Sequence, residues 1–489
     1  MRHQLNPLLL ALLSGALLVA AYRLPLFWPL SFIALLPLFA AIEGAKTTKQ
    51  AVLASSGTGL IVMGVATSWF FAVLPLPSSF GVTNPSLQLL FVFISWLLVT
   101  LATGSVMGLY GYAARRLSFS RVIDFFALVA LYEVCEYLRM VSFNVLTFND
   151  GIQNPIFFSV GSIAWPLMDS ESWRQVAAVG GLYSIGFLVV GTNALLYIFL
   201  RHTRSRKRVA GVIAVACTLL AISLSPIVSL RQSLEKVKSA TEVRVAIVSL
   251  PATETLDQAS QASRDFITVG AEAGADIILL PEDVRALTPL APHTAGEFLN
   301  ATSSAVVVDS GVVAVGNTRP IRSFMDTRTD TFQLRDKVVL TPQGEYMPYL
   351  FRLFLRTLGA GAAEVQFDAH RGFATGTGQG AALSVNGIRA SVLFCLEAMD
   401  PGLGKTVVTK QKSNLLLIPA SHAWFQPSSS LELDVLRFDE LQAVEAGVPL
   451  ASSVRAGPAF VLDRYGRQMA SIDSTTVPAS KVVSVEVIP

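Results

Sequence analysis

The sequence predicts a multi-span α-helical membrane domain of about seven spans followed by an α/β domain. Composition, charge distribution and one long uncharged stretch carry that reading. Hydrophobic residues fill 52% of the 489 positions and charged residues 15%, well below the ~25% usual for soluble domains. Mean hydropathy is +0.55. Residues 1–240 hold 17 Lys/Arg against 8 Asp/Glu, a net of +9, whereas 241–489 hold 20 against 26, a net of −6. Between Ala51 and Ala114 there is no Asp, Glu, Lys, Arg or His, and at about 20 apolar residues per crossing that stretch accommodates two spans. The overall charge of +3 speaks against a nucleic-acid partner.

Hydropathy places the spans at about 5–22, 24–42, 53–76, 87–110, 121–140, 176–200 and 209–230. Residues 1–22 also fit a signal peptide with Arg2 in its n-region and Val19-Ala20-Ala21 as cleavage site, but the apolar run continues past that point. Lys46 and Lys49, then Arg115, Arg116 and Arg121, then Arg201, Arg204, Arg206, Lys207 and Arg208 occupy alternate loops. Positive residues favour the cytoplasm, so an odd span count directs the following domain outward. Glu133, Glu136 and Arg139 recur every three residues in the fifth span and are expected to pair with one another. The aromatic residues Phe143, Phe148, Phe157, Phe158, Trp165 and Trp173 suit an outer membrane–water interface. No span reads as a broken helix with a midplane site, which speaks against a transporter. The expected division is a transmembrane domain at 1–232, a linker at 233–241 and an extracytoplasmic catalytic domain at 242–489.

In the second half, strands are expected at 243–248, 276–280, 311–316, 388–394, 414–418 and 449–454, with helices at 257–273, 297–305 and 431–446. That alternation predicts a layered α/β domain. Phe460 to Arg467 reads as a hairpin around Arg464–Gly466. The run Gly376-Thr377-Gly378-Gln379-Gly380 lacks the strand and helix a nucleotide cradle needs. The five histidines show no ligand spacing, so neither a metal nor another cofactor is expected. Cys135 and Cys217 lie in spans, which leaves Cys395 as the outward domain's single thiol. By itself such a residue is either a buried hydrophobe or a reactive group.

Three strand ends decide between these. The 388–394 strand delivers Cys395 to a turn ahead of Glu397. Leu280-Pro281-Glu282 sets a carboxylate where another strand stops, and Lys337 sits within the strand-like run Arg335–Leu340, ahead of Gly344-Glu345-Tyr346. Ligand sites in α/β domains gather at strand ends, so carboxylate, ammonium and thiol are expected to meet.

These blocks resemble the nitrilase superfamily, whose members use a Glu–Lys–Cys triad on an α-β-β-α sandwich. With a membrane domain ahead of them, the pattern is similar to the bacterial apolipoprotein N-acyltransferase family. Leu24–Phe39, Pro281-Glu282, Lys337 with Gly344-Glu345-Tyr346-Met347-Pro348, Cys395-Leu396-Glu397, Ala423-Trp424-Phe425 and Ala443–Pro449 match in family order. Leu280 and Leu396 stand where the family usually has Trp and Tyr, and Ser421-His422 replaces Asn-Asp. The resemblance implies Glu282 as base, Lys337 as oxyanion stabiliser and Cys395 as nucleophile, with Lys337 favouring the thiolate. Glu345 would orient the lysine and Glu397 would support the loop. Tyr346, Phe351, Phe354, Trp424 and Phe425 are candidates for facing lipid or substrate. The apolar stretch 346–356, with Arg352 and Arg356 on one helical face, fits either an interfacial helix or packing on its own domain. The resemblance further implies acyl transfer from a phospholipid to a diacylglyceryl-cysteine lipoprotein at the bacterial inner membrane. A monomer acting without nucleic acid is expected. A membrane-tethered amidase would use the same triad, and a drifted binding module would use none of it.

Overall fold

A computed structural model describes residues 6–488 apart from 78–79, 118–121, 153, 155, 203–204, 224–239, 253–254, 288–304, 313–320, 327–331, 377–381 and 474–476. The helix expected at 297–305 falls almost wholly outside the described residues. So do 313–316 of one expected strand, 377–380 of the glycine run and most of the linker. The chain forms two compact units, and the division is not a single cut. One unit holds 1–71, 91–146 and 157–232, while the other holds 233–489 together with 72–90 and 147–156.

The first unit is helical: α1 Pro7–Arg23, α2 Leu36–Gly44, α3 Thr48–Ala66, α4 Pro85–Gly104, α5 Met107–Ala114, α6 Val122–Leu146, the short α7 Glu171–Arg174, α8 Ala177–His202 and α9 Ser205–Ser223. Four helical stretches among the described residues are long and apolar enough to cross a membrane, namely Pro25–Gly44, Thr48–Val73, Pro85–Ala114 and Ala177–Arg201. Three of the seven expected spans do not reach that standard. α1 has only 17 residues, and α6 carries Asp124, Glu133, Glu136 and Arg139. The last span is described only to residue 223. Small residues let α3 approach its neighbours closely: a Cβ on Gly59 would lie 2.2 Å from the Gly104 carbonyl, and one on Gly111 would lie 2.4 Å from that of Ala51.

One expectation is refined here and one is corrected. The second span is broken, since a 3₁₀ helix at Pro25–Phe32 gives way to α2. Backbone groups freed inside an apolar unit need partners, and fully buried Asn193 of α8 supplies them. Its Oδ1 accepts from Leu35 N at 2.9 Å and its Nδ2 donates to Ser31 O at 2.7 Å. The aromatic stretch is also not a surface belt, because Phe143, Phe158, Trp165 and Trp173 are buried within the helical unit. The Phe143 and Phe158 rings stack with centroids 4.0 Å apart, and the Trp165 indole donates to Ser159 O at 2.6 Å. Phe148 alone of these is strongly exposed. The expected charge pairing holds for Arg139 and Glu136 at 2.7 Å. Glu133 packs against Gly186 instead.

The second unit is built on one twelve-stranded hydrogen-bonded network whose main path runs β5-β4-β3-β2-β1-β9-β8-β7-β6, with β4 at Ile321–Asp326, β5 at Phe332–Asp336 and β6 at Leu383–Val385. Its central strands are β1 Thr241–Leu250, β2 Ile277–Leu279, β3 Val306–Val312, β7 Ile388–Val392, β8 Leu415–Ser421 and β9 Leu450–Arg455. β1–β2, β2–β3, β7–β8, β8–β9 and β1–β9 pair in parallel. Alternation along each strand sends side chains to opposite faces. Val243, Val245, Ile247, Ile277 and Leu279 therefore meet Ile388, Ala390, Val392, Leu415 and Leu417 in one core between two sheet halves. Ala246, Val248 and Ile278 point the other way, onto Ala259 and Ile267 of helix α10 Leu256–Glu272. A Thr255–Gln258 capping box starts that helix. Helices α13 Leu403–Gln411 and α14 Ser429–Ala446 pack on β7–β9 from the other side, completing four layers in α-β-β-α order. The expected hairpin joins β10 Ala459–Leu462 to β11 Gln468–Ile472.

Between β5 Phe332–Asp336 and β6 Leu383–Val385 lie α11 Tyr349–Thr357 and α12 Gly361–Arg371. The two arginines of α11 pair within the domain. Arg352 pairs with Glu364 and Asp368 of α12 at 2.8 and 2.7 Å, and Arg356 pairs with Glu364 at 2.7 Å.

Candidate active site

Each proposed catalytic side chain leaves the sheet where a strand has just ended. β2 stops at Leu279, and Glu282 follows at 4% exposure. β5 stops at Asp336, so Lys337 lies just past the strand and not within it as the sequence suggested. Its side chain is fully buried. β7 stops at Val392, and Cys395 opens a 3₁₀ helix at Cys395–Met399. Cys395 adopts φ +34°, a conformation rarely taken by a side-chain-bearing residue and one that clusters at functional sites.

The buried ammonium has two carboxylate partners. Lys337 Nζ donates to Glu282 Oε1 at 2.9 Å and to Glu345 Oε1 at 2.7 Å. Glu345 is fixed in turn, its Oε2 accepting from Thr341 N at 2.7 Å. The second Glu282 oxygen, Oε2, accepts no hydrogen bond from the described residues. A buried lysine without partners would sacrifice its hydration for nothing; here the two carboxylates outweigh burial and push its pKa up. Burial pushes the Glu282 carboxyl up to about 7, against the opposing pull of the Lys337 charge.

Cys395 is partly exposed, and its Sγ lies 3.9 Å from Ser421 O. Burial and the Glu282 charge push the thiol up to about 12, although Lys337 pulls it down. The sequence suggested that the ammonium alone would favour a thiolate. Burial first, and then the Glu282 carboxylate, work against that pull and hold the thiol above its ordinary value.

Glu397 is fully buried and ties the lysine segment to the cysteine turn. Its Oε1 accepts from Val338 N at 2.7 Å and Val339 N at 3.4 Å. Its Oε2 accepts from Phe394 N at 2.9 Å and from Arg335 Nη1 at 3.0 Å. Arg335 was not singled out in the sequence; the signal available was three charged residues in a row, Arg335-Asp336-Lys337, at a strand end.

Of the lipid-facing candidates, Tyr346 and Phe351 are buried at 5% and 1%. The Tyr346 hydroxyl donates to Thr147 O at 3.0 Å, and Phe351 lies on the inner face of amphipathic α11, so neither meets lipid. Phe354, Trp424 and Phe425 are half-buried. The face of α11 that is exposed carries Tyr349, Leu350 and Leu353. Trp424 packs over Gly344, where a Cβ would fall 2.0 Å from the indole, and Arg371 stacks on the Trp424 ring at 4.1 Å. Nothing in the sequence announces Arg371, because the contact spans more than fifty residues.

Residues 14–195 match the family model for the apolipoprotein N-acyltransferase N-terminal domain. Over 480 residues the chain is 24% identical to an apolipoprotein N-acyltransferase of Geobacter metallireducens, covering 94% of this chain and 85% of that protein. Over 477 residues it is 25% identical to one of Thermotoga maritima, covering 94% and 84%. Among solved structures, an amidase from Nesterenkonia sp. superposes with a TM-score of 0.37 at 18% identity, over 50% of this chain and 89% of that one. The N-terminal part thus matches this family's model, and nearly the whole chain is similar to proteins named apolipoprotein N-acyltransferase.

Proposed function

We propose that the protein is a phospholipid-dependent acyltransferase of the bacterial inner membrane that acylates the N-terminal amine of a diacylglyceryl-cysteine lipoprotein. The observation that carries this is the buried Glu282–Lys337–Glu345 cluster beside a cysteine held at positive φ. In the first half-reaction Glu282 Oε2 takes the Cys395 proton as sulfur attacks the ester carbonyl of the phospholipid. Lys337 and the Leu396 backbone N–H stabilise the oxyanion. The tetrahedral intermediate collapses to a Cys395 thioester, and the lysophospholipid alkoxide leaves with the proton from Glu282. In the second half-reaction the lipoprotein amine attacks the thioester, Glu282 removes its proton, and the thiolate departs and is reprotonated. A base near pH 7 and a neutral thiol suit this order, since the thiol gives up its proton only as the S–C bond forms.

We infer that the catalytic unit faces outward. On the expected span count the three basic loops alternate along the chain with segments 72–90 and 147–156, positive loops favour the cytoplasm, and those two segments fold as part of the catalytic unit. A membrane-impermeant protease should digest the 241–489 domain in spheroplasts, and protection until lysis would overturn the orientation.

The direct test of the chemistry is mass spectrometry of purified protein mixed with phospholipid. A gain of one acyl chain that is labile to hydroxylamine and absent in Cys395→Ala supports the reading. A diacylglyceryl-cysteine peptide should then discharge the thioester and become N-acylated. Loss of the acyl group to water at the same rate with or without peptide would indicate an amidase or esterase instead.

A further inference from the structure

We propose that Asn149 and Asn154, on the segment that follows α6, are positioning residues for the Lys337–Glu345 pair. On this view the segment 147–156, which folds with the catalytic unit, supplies part of the catalytic geometry. The inference rests on the triad assigned above.

Lys337 lies beyond the last residue of β5, and from there to Glu345 the backbone belongs to no strand of the sheet. A segment outside the ladder takes its position from whatever else holds its peptide groups. Glu397 holds one side, accepting the Val338 N–H. The carbonyl of the same residue is held from the other side, accepting from Asn154 Nδ2 at 3.2 Å. Val338 is thus clamped at both its N–H and its C=O, directly after the lysine.

The far end of the pair is tied by the same segment. Asn149 Nδ2 donates to Met347 O at 3.0 Å, while its Oδ1 accepts from Gly151 N at 2.9 Å. That second bond closes a local side-chain turn and fixes which way the amide points. The Tyr346 hydroxyl donates to Thr147 O at 3.0 Å, and Tyr349 N donates to Phe148 O at 3.1 Å. Residues 147–156 therefore touch the chain one residue after Lys337 and one, two and four residues after Glu345. A misplacement of about 1 Å at a catalytic group can cost a hundredfold in rate, which makes these bonds matter to chemistry.

The test uses the full chain in phospholipid nanodiscs and the acyl-adduct rate as readout. Asn154→Leu and Asn149→Leu keep size and neutrality but cannot donate. Each should lower the rate at saturating phospholipid by roughly three- to tenfold, with KM unchanged. Each should also move the acid limb of the pH profile upward, because an ammonium displaced from Glu282 no longer holds that carboxyl down. Wild-type rate and acid limb in both variants would overturn the positioning role while leaving the triad standing. A loss of rate that tracks a lower folded fraction, with the wild-type acid limb in what remains, would also overturn it. Absence of any adduct in the wild-type protein would overturn the triad and this inference together.

Discussion

Glu397→Gln isolates the residue that couples the lysine segment to the nucleophile turn. The carboxylate accepts four hydrogen bonds, two at each oxygen. An amide of the same shape has one oxygen, so its NH₂ group must face two donors wherever it is placed. If the NH₂ faces Phe394 N and Arg335, the buried Arg335 loses its ion pair with Glu397, and breaking a buried ion pair from one side costs ~3–5 kcal/mol. If it faces Val338 and Val339 instead, two backbone N–H groups lose a charged acceptor at ~1.5–3 kcal/mol each. Either orientation removes a large share of the ~5–15 kcal/mol that holds a typical domain together. Full-length Glu397→Gln in detergent should therefore melt several degrees lower, and the protein that remains folded should form the Cys395 adduct much more slowly. Glu397→Asp keeps the charge and should recover part of both. A Glu397→Gln protein with wild-type melting and wild-type adduct rate would refute the coupling.

Gly344→Ala should cut the adduct rate sharply, because the new Cβ would fall 2.0 Å from the Trp424 ring and displace either that ring or neighbouring Glu345. An unchanged rate would mean the loop yields freely. Stability should fall as pH rises from about 4 to 7. Burial raises Glu282, Asp400 and Asp439 to about 7 and Asp309 to about 6, so the native state binds more protons than an unfolded chain with carboxyls near ~4. Buried His422, pushed down to about 4, opposes this only below about 6.5, one group against four. A catalytic unit that melts higher at pH 8 than at pH 5 would contradict the sign.

The catalytic half was legible because its signals are local. Apolar strands of five to seven residues in the sequence place β1, β2, β7, β8 and β9 within a few positions, and a charged or thiol side chain at a strand end is conspicuous where a core would want none. Lys337 was misplaced by the run Val338-Val339-Leu340, which has strand composition but turns away to bring the ammonium to Glu282. The helical unit was harder to read. Hydropathy finds apolar length but not continuity, so the break at Phe32–Leu36 stayed hidden although Pro29 and Pro37 lie on either side of it, and the asparagine that pairs the freed backbone groups is some 160 residues away. The same blindness put Trp165 and Trp173 at an interface, since an aromatic side chain suits a buried packing site as well as a membrane boundary. Asn149 and Asn154 carry no signal at all, because what they do depends on partners nearly 200 residues on.

The site's charge balance explains why two carboxylates accompany one ammonium, and it gives a prediction with a definite sign. With Glu282 and Glu345 both ionised the cluster is one negative charge in excess, so a proton taken by Glu282 from the thiol brings the cluster to neutrality. Glu345 contributes to that pull, since its charge is among the causes that raise the Glu282 carboxyl. Replacing Glu345 with Gln leaves Lys337 paired with Glu282 alone. The Glu282 pKa should then drop below about 7, and the acid limb of the adduct rate should move to lower pH. The plateau should fall as well, because a less basic Glu282 accepts the thiol proton less readily, and because Thr341 N loses its charged acceptor. The shift is opposite in direction to that expected of the Asn149 and Asn154 variants, which loosen the ammonium and not the second carboxylate. Measuring adduct formation across pH 5–9 for both sets therefore separates the two influences on one base. A Glu345→Gln limb that stays in place or moves upward would mean that Glu345 serves only as a tether for Lys337, and that the proton affinity of Glu282 is set without it.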